Sequence, residues 1–201
     1  IGKSAFLLKL IGDIANVGQR AFYFAGEDGY RRLKERTKKL GINPEYVICH
    51  AGREYQVNRN EYLDIVSDYL TANPDIKLAV FDTMELSLKP KMKKREYEDW
   101  VTDLQPWNDL AHQLNIQILM VHHCNKGETK GIESILGSQG IAASFETLLI
   151  MQREQGNVYL EVIGKDVASN TISLEKLDFG YKIRNGEFAN EFLVKLTYII
   201  Y

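Results

Sequence analysis

The sequence predicts an α/β protein in which a mostly parallel, twisted sheet is flanked by helices and antiparallel strands are added at the C-terminal end. Over roughly the first 150 residues, short apolar runs alternate with segments of helical periodicity, as expected for a parallel sheet covered on both faces. The remaining residues contain short strand-like runs joined by turns such as Asn185-Gly186, a pattern typical of antiparallel hairpins.

Helices and strands follow one another in the order that such a sheet requires. Helices are predicted over residues 5–16, 30–40, 60–72 and 97–114, where apolar periodicity ends at glycine or before proline. Buried strands are predicted over 19–25, 46–50, 77–83, 116–121 and 146–151, and tail strands over 158–163, 171–177, 181–184 and 192–196. Pro106 lies inside the last helix, so a kink or a break is expected there.

Composition is that of one medium-sized domain, residues 1–201. With 45% hydrophobic and 26% charged residues the chain can bury a substantial core. The net charge of −2 excludes a global basic field, so any contact with nucleic acid must be local. Cys49 and Cys124 lack metal-ligand spacing, and no apolar run is long enough to span a membrane. A cytoplasmic protein without membrane contact is expected.

The first helix is preceded by the last part of a phosphate-binding loop, Gly2-Lys3-Ser4. The full motif follows a strand and begins with another glycine, so the first strand and the first half of the loop are expected to be missing from this chain. Gly2 would let backbone N–H groups approach phosphate, Lys3 would reach the β- and γ-phosphates of ATP, and Ser4 would offer its hydroxyl to Mg²⁺. The alternative is a tripeptide that merely starts a helix capped by Ser4.

Acidic residues follow two of the predicted strands. Asp82 ends the apolar run at 77–83 in a Walker B arrangement, where a carboxylate can hold Mg²⁺ directly or through water. Glu27 follows the strand at 19–25 and is a candidate general base for the attacking water. The alternative for Glu27 is an acidic side chain that complements the dipole of the next helix.

His122 and His123 follow the strand at 116–121 and allow three interpretations. They could form a metal pair, but adjacent residues of a strand point to opposite faces, which makes ligation of one ion by both difficult. One of them could contact the γ-phosphate and report its loss to the next loop, which the position at a strand end favours. They could also be packed histidines without a functional role.

Two polar segments are candidates for contact with nucleic acid. The loop predicted at 86–98 carries five basic residues between Lys89 and Arg95, and the glycine-rich loop at 124–140 contains Lys126 and Lys130. A solvated surface and a mobile loop are the respective alternatives. In a ring of subunits, Lys165 or Arg153 could cross to the γ-phosphate of the neighbour, although each could equally be an ordinary surface residue.

The ordered set of motifs resembles the RecA-like ATPases of the RepA type, which are hexameric replicative helicases of plasmids and phages, and more distantly the DnaB-type helicases. The resemblance covers nearly the whole chain, up to about residue 187. The motifs are Gly2-Lys3-Ser4, Gly26-Glu27-Asp28 with Arg31-Arg32-Leu33, Val80-Phe81-Asp82-Thr83, His122-His123-Cys124-Asn125-Lys126-Gly127, Gly137-Ser138-Gln139-Gly140-Ile141-Ala142 and Gly164-Lys165-Asp166-Val167.

The resemblance implies a role for each matching residue. Lys3 and Ser4 would be the Walker A pair, Glu27 the catalytic glutamate and Asp82 the Walker B aspartate. Either His122 or His123 would be the sensor, Lys165 would act in trans, and Gln139 would belong with the nucleotide-binding residues. The loops 86–98 and 124–140 would face a central channel that holds single-stranded DNA. The chain departs from the DnaB-type pattern at Val167, where those proteins carry an arginine.

These expectations together predict an ATP-hydrolysing, DNA-dependent motor, with ATP and Mg²⁺ as ligands and a homo-oligomeric, hexameric ring as the assembly. The proposed activity is that of a replicative DNA helicase on single-stranded DNA. The alternatives are a DNA-dependent recombinase or switch ATPase without unwinding activity, and a non-catalytic assembly scaffold.

Overall fold

The computed structural model describes residues 2–52, 58–123, 138–165 and 168–184. The helices are α1 (Lys3–Asn16), α2 (Tyr30–Lys39), α3 (Tyr62–Ala72), α4 (Met84–Ser87), α5 (Tyr97–Leu114) and α6 (Ser138–Ser144). The strands are β1 (Arg20–Ala25), β2 (Val47–Ala51), β3 (Ile76–Asp82), β4 (Gln117–Met120), β5 (Thr147–Glu154), β6 (Asn157–Gly164), β7 (Asn170–Lys176) and β8 (Tyr181–Ile183). Among these helices, none combines the length and the apolarity that a membrane crossing requires.

The first four strands form a parallel sheet in the order β2-β1-β3-β4. Its central strands are apolar on both faces because each face is covered by helices. Tyr23 and Val80 lie in the same buried cluster as the apolar side chains of α1, while Phe24 and Phe81 lie in a second cluster with those of α3 and α5. The predicted layered α/β arrangement is therefore confirmed.

The tail strands form a second, antiparallel sheet in the order β5-β6-β7-β8, as the change of sequence pattern predicts. The β5–β6 hairpin turns at Gln155 and Gly156, both with positive φ (48° and 84°), which suits a tight two-residue turn between twisted strands. The predicted strand at 192–196 and the turn Asn185-Gly186 lie outside the described residues.

The break expected at Pro106 is absent, because α5 runs as one helix from Tyr97 to Leu114. A proline inside a helix frees the carbonyl group four residues earlier, here that of Thr102. Thr102 and Pro106 are both exposed, so water can hydrogen-bond the freed carbonyl without interrupting the helix.

The loop predicted over 86–98 is shorter than expected. The short helix α4 begins immediately after β3, and α5 begins at Tyr97, where the backbone N–H of Glu96 donates to the carboxylate of Asp99 at 3.0 Å. The connection between the two helices is therefore residues 88–96, which we call the basic segment.

An apolar cleft of about 870 Å³, including the solvent at its mouth, lies between β4 and β5. Within the described residues, neither of these edge strands has a partner strand on the side that faces the cleft. The lining also includes side chains of α1 on one face and of α6 on the other, namely Phe6, Leu7 and Ile141. The buried hydroxyl of Thr147, also in the lining, has no hydrogen-bond partner among the described residues.

Candidate active site

The carboxyl ends of β1, β3 and β4 meet at one edge of the parallel sheet. Ala25 pairs with Asp82, and the N–H of the next residue, Gly26, donates to the Asp82 carbonyl at 2.6 Å. On the other side of β3, the N–H of Val121 donates to the carbonyl of Phe81 at 2.9 Å. The residues that follow these three strands are thereby brought together, as expected for a site of this sheet class.

Gly2 begins α1 in a conformation that other residues rarely adopt, with φ of 98°. A Cβ atom added to Gly2 would lie 2.8 Å from Cε2 of Tyr181, the first residue of β8. Glycine is therefore required here by both the backbone angle and the contact with the tail sheet. Its carbonyl accepts the first helical hydrogen bond, from the N–H of Phe6 at 3.0 Å.

Ser4 and Tyr23 both hydrogen-bond the carboxylate of Asp82, which is only 9% exposed. The Tyr23 hydroxyl donates to Asp82 Oδ2 at 3.1 Å. Burial raises the pKa of Asp82; the two hydrogen bonds oppose that shift, and the negative charges of Glu27 and Asp28 add to it. A buried carboxylate that is costly to ionise and lies beside a serine hydroxyl is suited to a cation, whose charge would offset the cost.

Lys3, His123 and Glu27 form a line at the surface of the same edge. Lys3 Nζ lies 3.4 Å from His123 Nδ1, and His123 Nε2 lies 3.7 Å from Glu27 Oε1. Because an ammonium group only donates, Nδ1 is the acceptor and the protonated Nε2 side faces Glu27. The side chains of His123 and Glu27 are 56% and 62% exposed, so both can meet a ligand from solvent.

His122 points to a different set of residues. Its Nδ1 lies 2.9 Å from Oε1 of Glu85, and its ring meets that of Trp100 edge-on at 5.6 Å. Burial acts to raise the pKa of Glu85, but the contact with His122 outweighs it and the pKa lies below its ordinary value. The two histidines do not share a metal site, and no group of three or more potential His, Cys, Asp or Glu metal ligands occurs in the described part of the chain.

Asp28 and Glu27 are adjacent but have different surroundings. Asp28 forms ion pairs with Arg32 at 3.2 Å and with Arg36, both on α2. The helix-stabilising role that was the alternative for Glu27 is thus filled by Asp28, while Glu27 extends towards His123. The structure places Glu27 within the same cluster as Lys3, Ser4 and Asp82.

Arg153 and Lys165 lie at opposite ends of the β5–β6 hairpin. Arg153 pairs with Val158 near the turn, whereas the N–H of Lys165 donates to the Glu146 carbonyl at the other end, at 3.0 Å. The strand length between them corresponds to about 20 Å. The register across β6, β7 and β8 places the turn end on the side of Tyr181, which contacts Gly2. Lys165 therefore lies at the end of the hairpin away from the phosphate-loop residues of its own chain.

The remaining predicted contacts are only partly described. Gln139 is exposed in the first turn of α6, which packs on α5 through Gly140 and the backbone of Tyr97. Lys126 and Lys130 lie outside the described residues, as do residues 124–137 as a whole and Val167.

The basic segment carries both paired and unpaired cations. Lys91 pairs with Asp99 at 2.6 Å, and Arg95 pairs with Asp103 at 2.7 Å. Within the described ranges, the other three basic residues are exposed and without an ion pair: Lys89, Lys93 and Lys94. These three can meet an external polyanion without breaking an internal contact.

Sequence reasoning misses Tyr23 and Glu85. Tyr23 lies within a continuous apolar run, where nothing distinguishes a tyrosine that serves the site from one that fills the core. Glu85 carries a usable signal, since it follows Asp82 by three residues at a strand end of the predicted site. The sequence pattern alone assigns it instead to the beginning of a loop.

Comparison with solved structures identifies the fold. The ATPase domain of a DnaB-like helicase superposes with a TM-score of 0.71 at 12% identity, covering 89% of this chain and 80% of that domain. The chain has a RecA-like fold. The KaiC-like protein PH0186 of Pyrococcus horikoshii OT3 gives a TM-score of 0.62 at 11% identity and covers 92% of this chain and 87% of that chain.

A third solved structure with the same fold is another DnaB-like replicative helicase, studied for its interactions with primase. It superposes with a TM-score of 0.69 at 11% identity over 90% of this chain, which spans about half (54%) of that protein. No protein-family model and no curated protein sequence matches the chain.

Proposed function

We propose that this chain is the ATP-hydrolysing domain of a DNA-dependent motor, a ring-forming replicative helicase that acts on single-stranded DNA. The observation that carries the proposal is the convergence of four side chains at one sheet edge: Lys3, Ser4, Glu27 and Asp82. A phosphate-binding cation, a pair of metal ligands and a free carboxylate are the parts that nucleotide hydrolysis requires.

The phosphate end of ATP would bind at the start of α1. Lys3 would neutralise the β- and γ-phosphates, while backbone N–H groups near Gly2 and the helix dipole would bind the same oxygens. Ser4 and Asp82 would hold Mg²⁺, which suits them because the hydroxyl and the carboxylate already lie within hydrogen-bond distance of each other. When bound, Mg²⁺ supplies positive charge that stabilises the phosphates during transfer.

Glu27 would orient the attacking water, since its carboxylate is exposed and lies on the same edge as Lys3. His123 lies between Lys3 and Glu27, which supports it, rather than His122, as the residue that contacts the γ-phosphate. Losing that phosphate would remove one partner of His123 and change the position of its ring.

A ring would place a neighbouring subunit against the nucleotide. Lys165 lies away from the phosphate-loop residues of its own chain, which supports a role in trans, while Arg153 is the candidate on the same end as Gly2. Unpaired lysines of the basic segment would contact the phosphates of single-stranded DNA together with the loop 124–140. Assignment to the RepA type rests on the order of the sequence motifs, and a cytoplasmic location follows from the DNA substrate.

The decisive test replaces Glu27 by glutamine in a protein with a complete phosphate-binding loop. The substitution keeps size and polarity but removes the base, so we expect ATP binding within about twofold and a loss of turnover of at least about 10²-fold. ATP titration and phosphate release measure the two quantities, with Glu45→Gln, an exposed loop residue, as the matched control. Unchanged hydrolysis would remove Glu27 from the mechanism.

Oligomeric dependence tests Lys165. Lys165→Ala should lower turnover in the assembled ring and leave the residual turnover of a verified monomer unchanged, because the lysine would serve the neighbour's site. Turnover is compared at protein concentrations above and below assembly, which is followed by sizing. An equal loss in the monomer would reject the role in trans.

Two further assays separate the alternatives. Strand displacement distinguishes a helicase from a recombinase or switch ATPase, and ATP turnover with and without single-stranded DNA distinguishes both from a non-catalytic scaffold. The salt dependence of DNA binding would report how many lysines contact phosphate.

A further inference from the structure

His122 is connected to both ends of the basic segment by two separate sets of contacts. His122 is 10% exposed and directly follows β4 through Val121, and its neighbour His123 contacts Lys3. The contacts that leave His122 run in the opposite direction, away from the phosphate-loop residues and towards residues 88–96.

The first set of contacts is polar. His122 Nδ1 lies 2.9 Å from Glu85 Oε1, and the backbone carbonyl of Glu85 accepts a hydrogen bond from Nη2 of Arg59. The same guanidinium donates through Nε to the carbonyl of Leu88 at 3.1 Å. One planar group thus ties the helix that carries Glu85 to the first residue of the basic segment.

The second set of contacts is aromatic. His122 meets the ring of Trp100 at 5.6 Å, and the guanidinium of Arg95 lies 5.1 Å from the centre of that ring. Arg95 also donates to Asp103 at 2.7 Å and to the carbonyl of Lys89 at 2.5 Å. The far end of the basic segment is therefore held against the same histidine.

The charges of this network depend on one carboxylate. Burial lowers the pKa of Arg59, and the positive charge of Arg95 lowers it further, whereas Glu85 acts in the opposite direction. Glu85 is thus an anion placed among Arg59, Arg95 and His122. Removing its charge would leave these groups without the anion that balances them.

We propose that Glu85 is a positioning residue that couples the nucleotide state at His123 to the arrangement of the basic segment, and hence to its affinity for single-stranded DNA. The inference rests on the proposed function, since it requires both ATP and DNA as ligands. The bistable element is the connection 88–96, whose two ends are fixed to the His122 network while its exposed lysines, Lys93 and Lys94, are free to bind phosphate.

The test measures coupling between the two ligands. In a protein with a complete phosphate-binding loop, the Kd for a fluorescent oligo-dT is measured with and without a non-hydrolysable ATP analogue, and the ratio of the two values is the coupling. We expect a ratio of about 5 to 150 in the wild-type protein, the usual range for allosteric coupling, and about 1 in Glu85→Gln. ATP affinity should change less than about threefold, because Glu85 does not contact the phosphate-binding residues.

Two further variants make the test specific. Glu45→Gln removes the same charge from an exposed loop and should keep the wild-type ratio. Arg59→Lys keeps the positive charge but cannot donate to the carbonyls of Glu85 and Leu88 together, so it should lose coupling as Glu85→Gln does. Because Arg59 is remote from the nucleotide, it keeps the test valid if Glu85→Gln proves unstable.

The outcomes are distinguishable. If the wild-type protein shows ATP-dependent DNA binding and both Glu85→Gln and Arg59→Lys retain its ratio, this inference is wrong and the proposed function stands. If the wild-type protein binds neither ligand, or binds them without coupling, the inference fails, and in the first case the proposed function fails with it.

Discussion

The carboxylate of Asp82 shows how one side chain can be unfavourable for the fold and useful for the site. It is buried at the end of a central strand, and its two hydroxyl partners, Ser4 and Tyr23, do not fully compensate for the lost water. An arrangement of this kind is maintained by what it can bind rather than by what it adds to stability.

We predict that Asp82→Asn makes the free protein more stable at pH 7 and abolishes Mg²⁺-dependent ATP binding. The folded pKa of Asp82 is raised, so its ionisation lowers stability fully above the folded pKa and not at all below the ordinary value of 3.8. The melting temperature of Asp82→Asn should exceed that of the wild type by a few degrees. The difference should shrink as the pH falls through the raised pKa.

A matched control is Asp13→Asn, in which an exposed carboxylate loses its charge next to Lys9. That variant should show no increase in melting temperature, because the group it replaces is solvated. A lower melting temperature for Asp82→Asn at pH 7 would contradict the account of Asp82 given above.

The helices and strands are the level at which the sequence is most informative. Continuous apolar runs located β1 and β3 within about one residue, and the periodicity over 97–114 located α5, because these patterns depend on burial alone. Contacts between elements could not be predicted in the same way. That His122 turns to Glu85 and His123 to Lys3 depends on how α4 and α5 pack beside β4, which no local pattern encodes.

Pro106 provides a test on the helix scale. Because α5 is continuous and Pro106 is exposed, Pro106→Ala should restore a helical hydrogen bond to Thr102 and stabilise the protein by about 1–3 kcal/mol. Urea unfolding measures the change, and Pro90→Ala in the basic segment, outside any helix, serves as the comparison. If Pro106→Ala is neutral or destabilising, the proline is accommodated by the helix in a way other than solvation of the Thr102 carbonyl.

On the scale of the whole molecule, the two sheets face each other across the cleft between β4 and β5. The N–H of Val121 points to β3, and successive amides of a strand point to opposite edges, so the N–H of Met120 faces the cleft. Unpaired edges with apolar lining on both faces are suited to one additional strand. We propose that a segment preceding Ile1 supplies this strand, which would complete a single domain and the phosphate-binding loop that leads into Gly2.

An extended chain tests this proposal directly. We expect that an N-terminal extension of eight alternating valine and leucine residues, joined to Gly2 by a glycine-rich turn, raises the melting temperature and slows hydrogen exchange at Met120. The control extension has proline at alternate positions, which keeps the length but cannot donate the ladder hydrogen bonds. Equal exchange at Met120 in both proteins would show that the cleft does not accept a strand.

The contact between Gly2 and Tyr181 has a consequence for the tail sheet. The first residue of β8 packs directly on the turn where the phosphate-binding residues begin, and Gly180 approaches the Ala5 carbonyl from the same side. Any ligand that makes this turn rigid must therefore also restrain β8, even though the ligand would touch no residue of the tail. Protection of the C-terminal strands from a protease would then serve as a remote indicator that the turn is occupied.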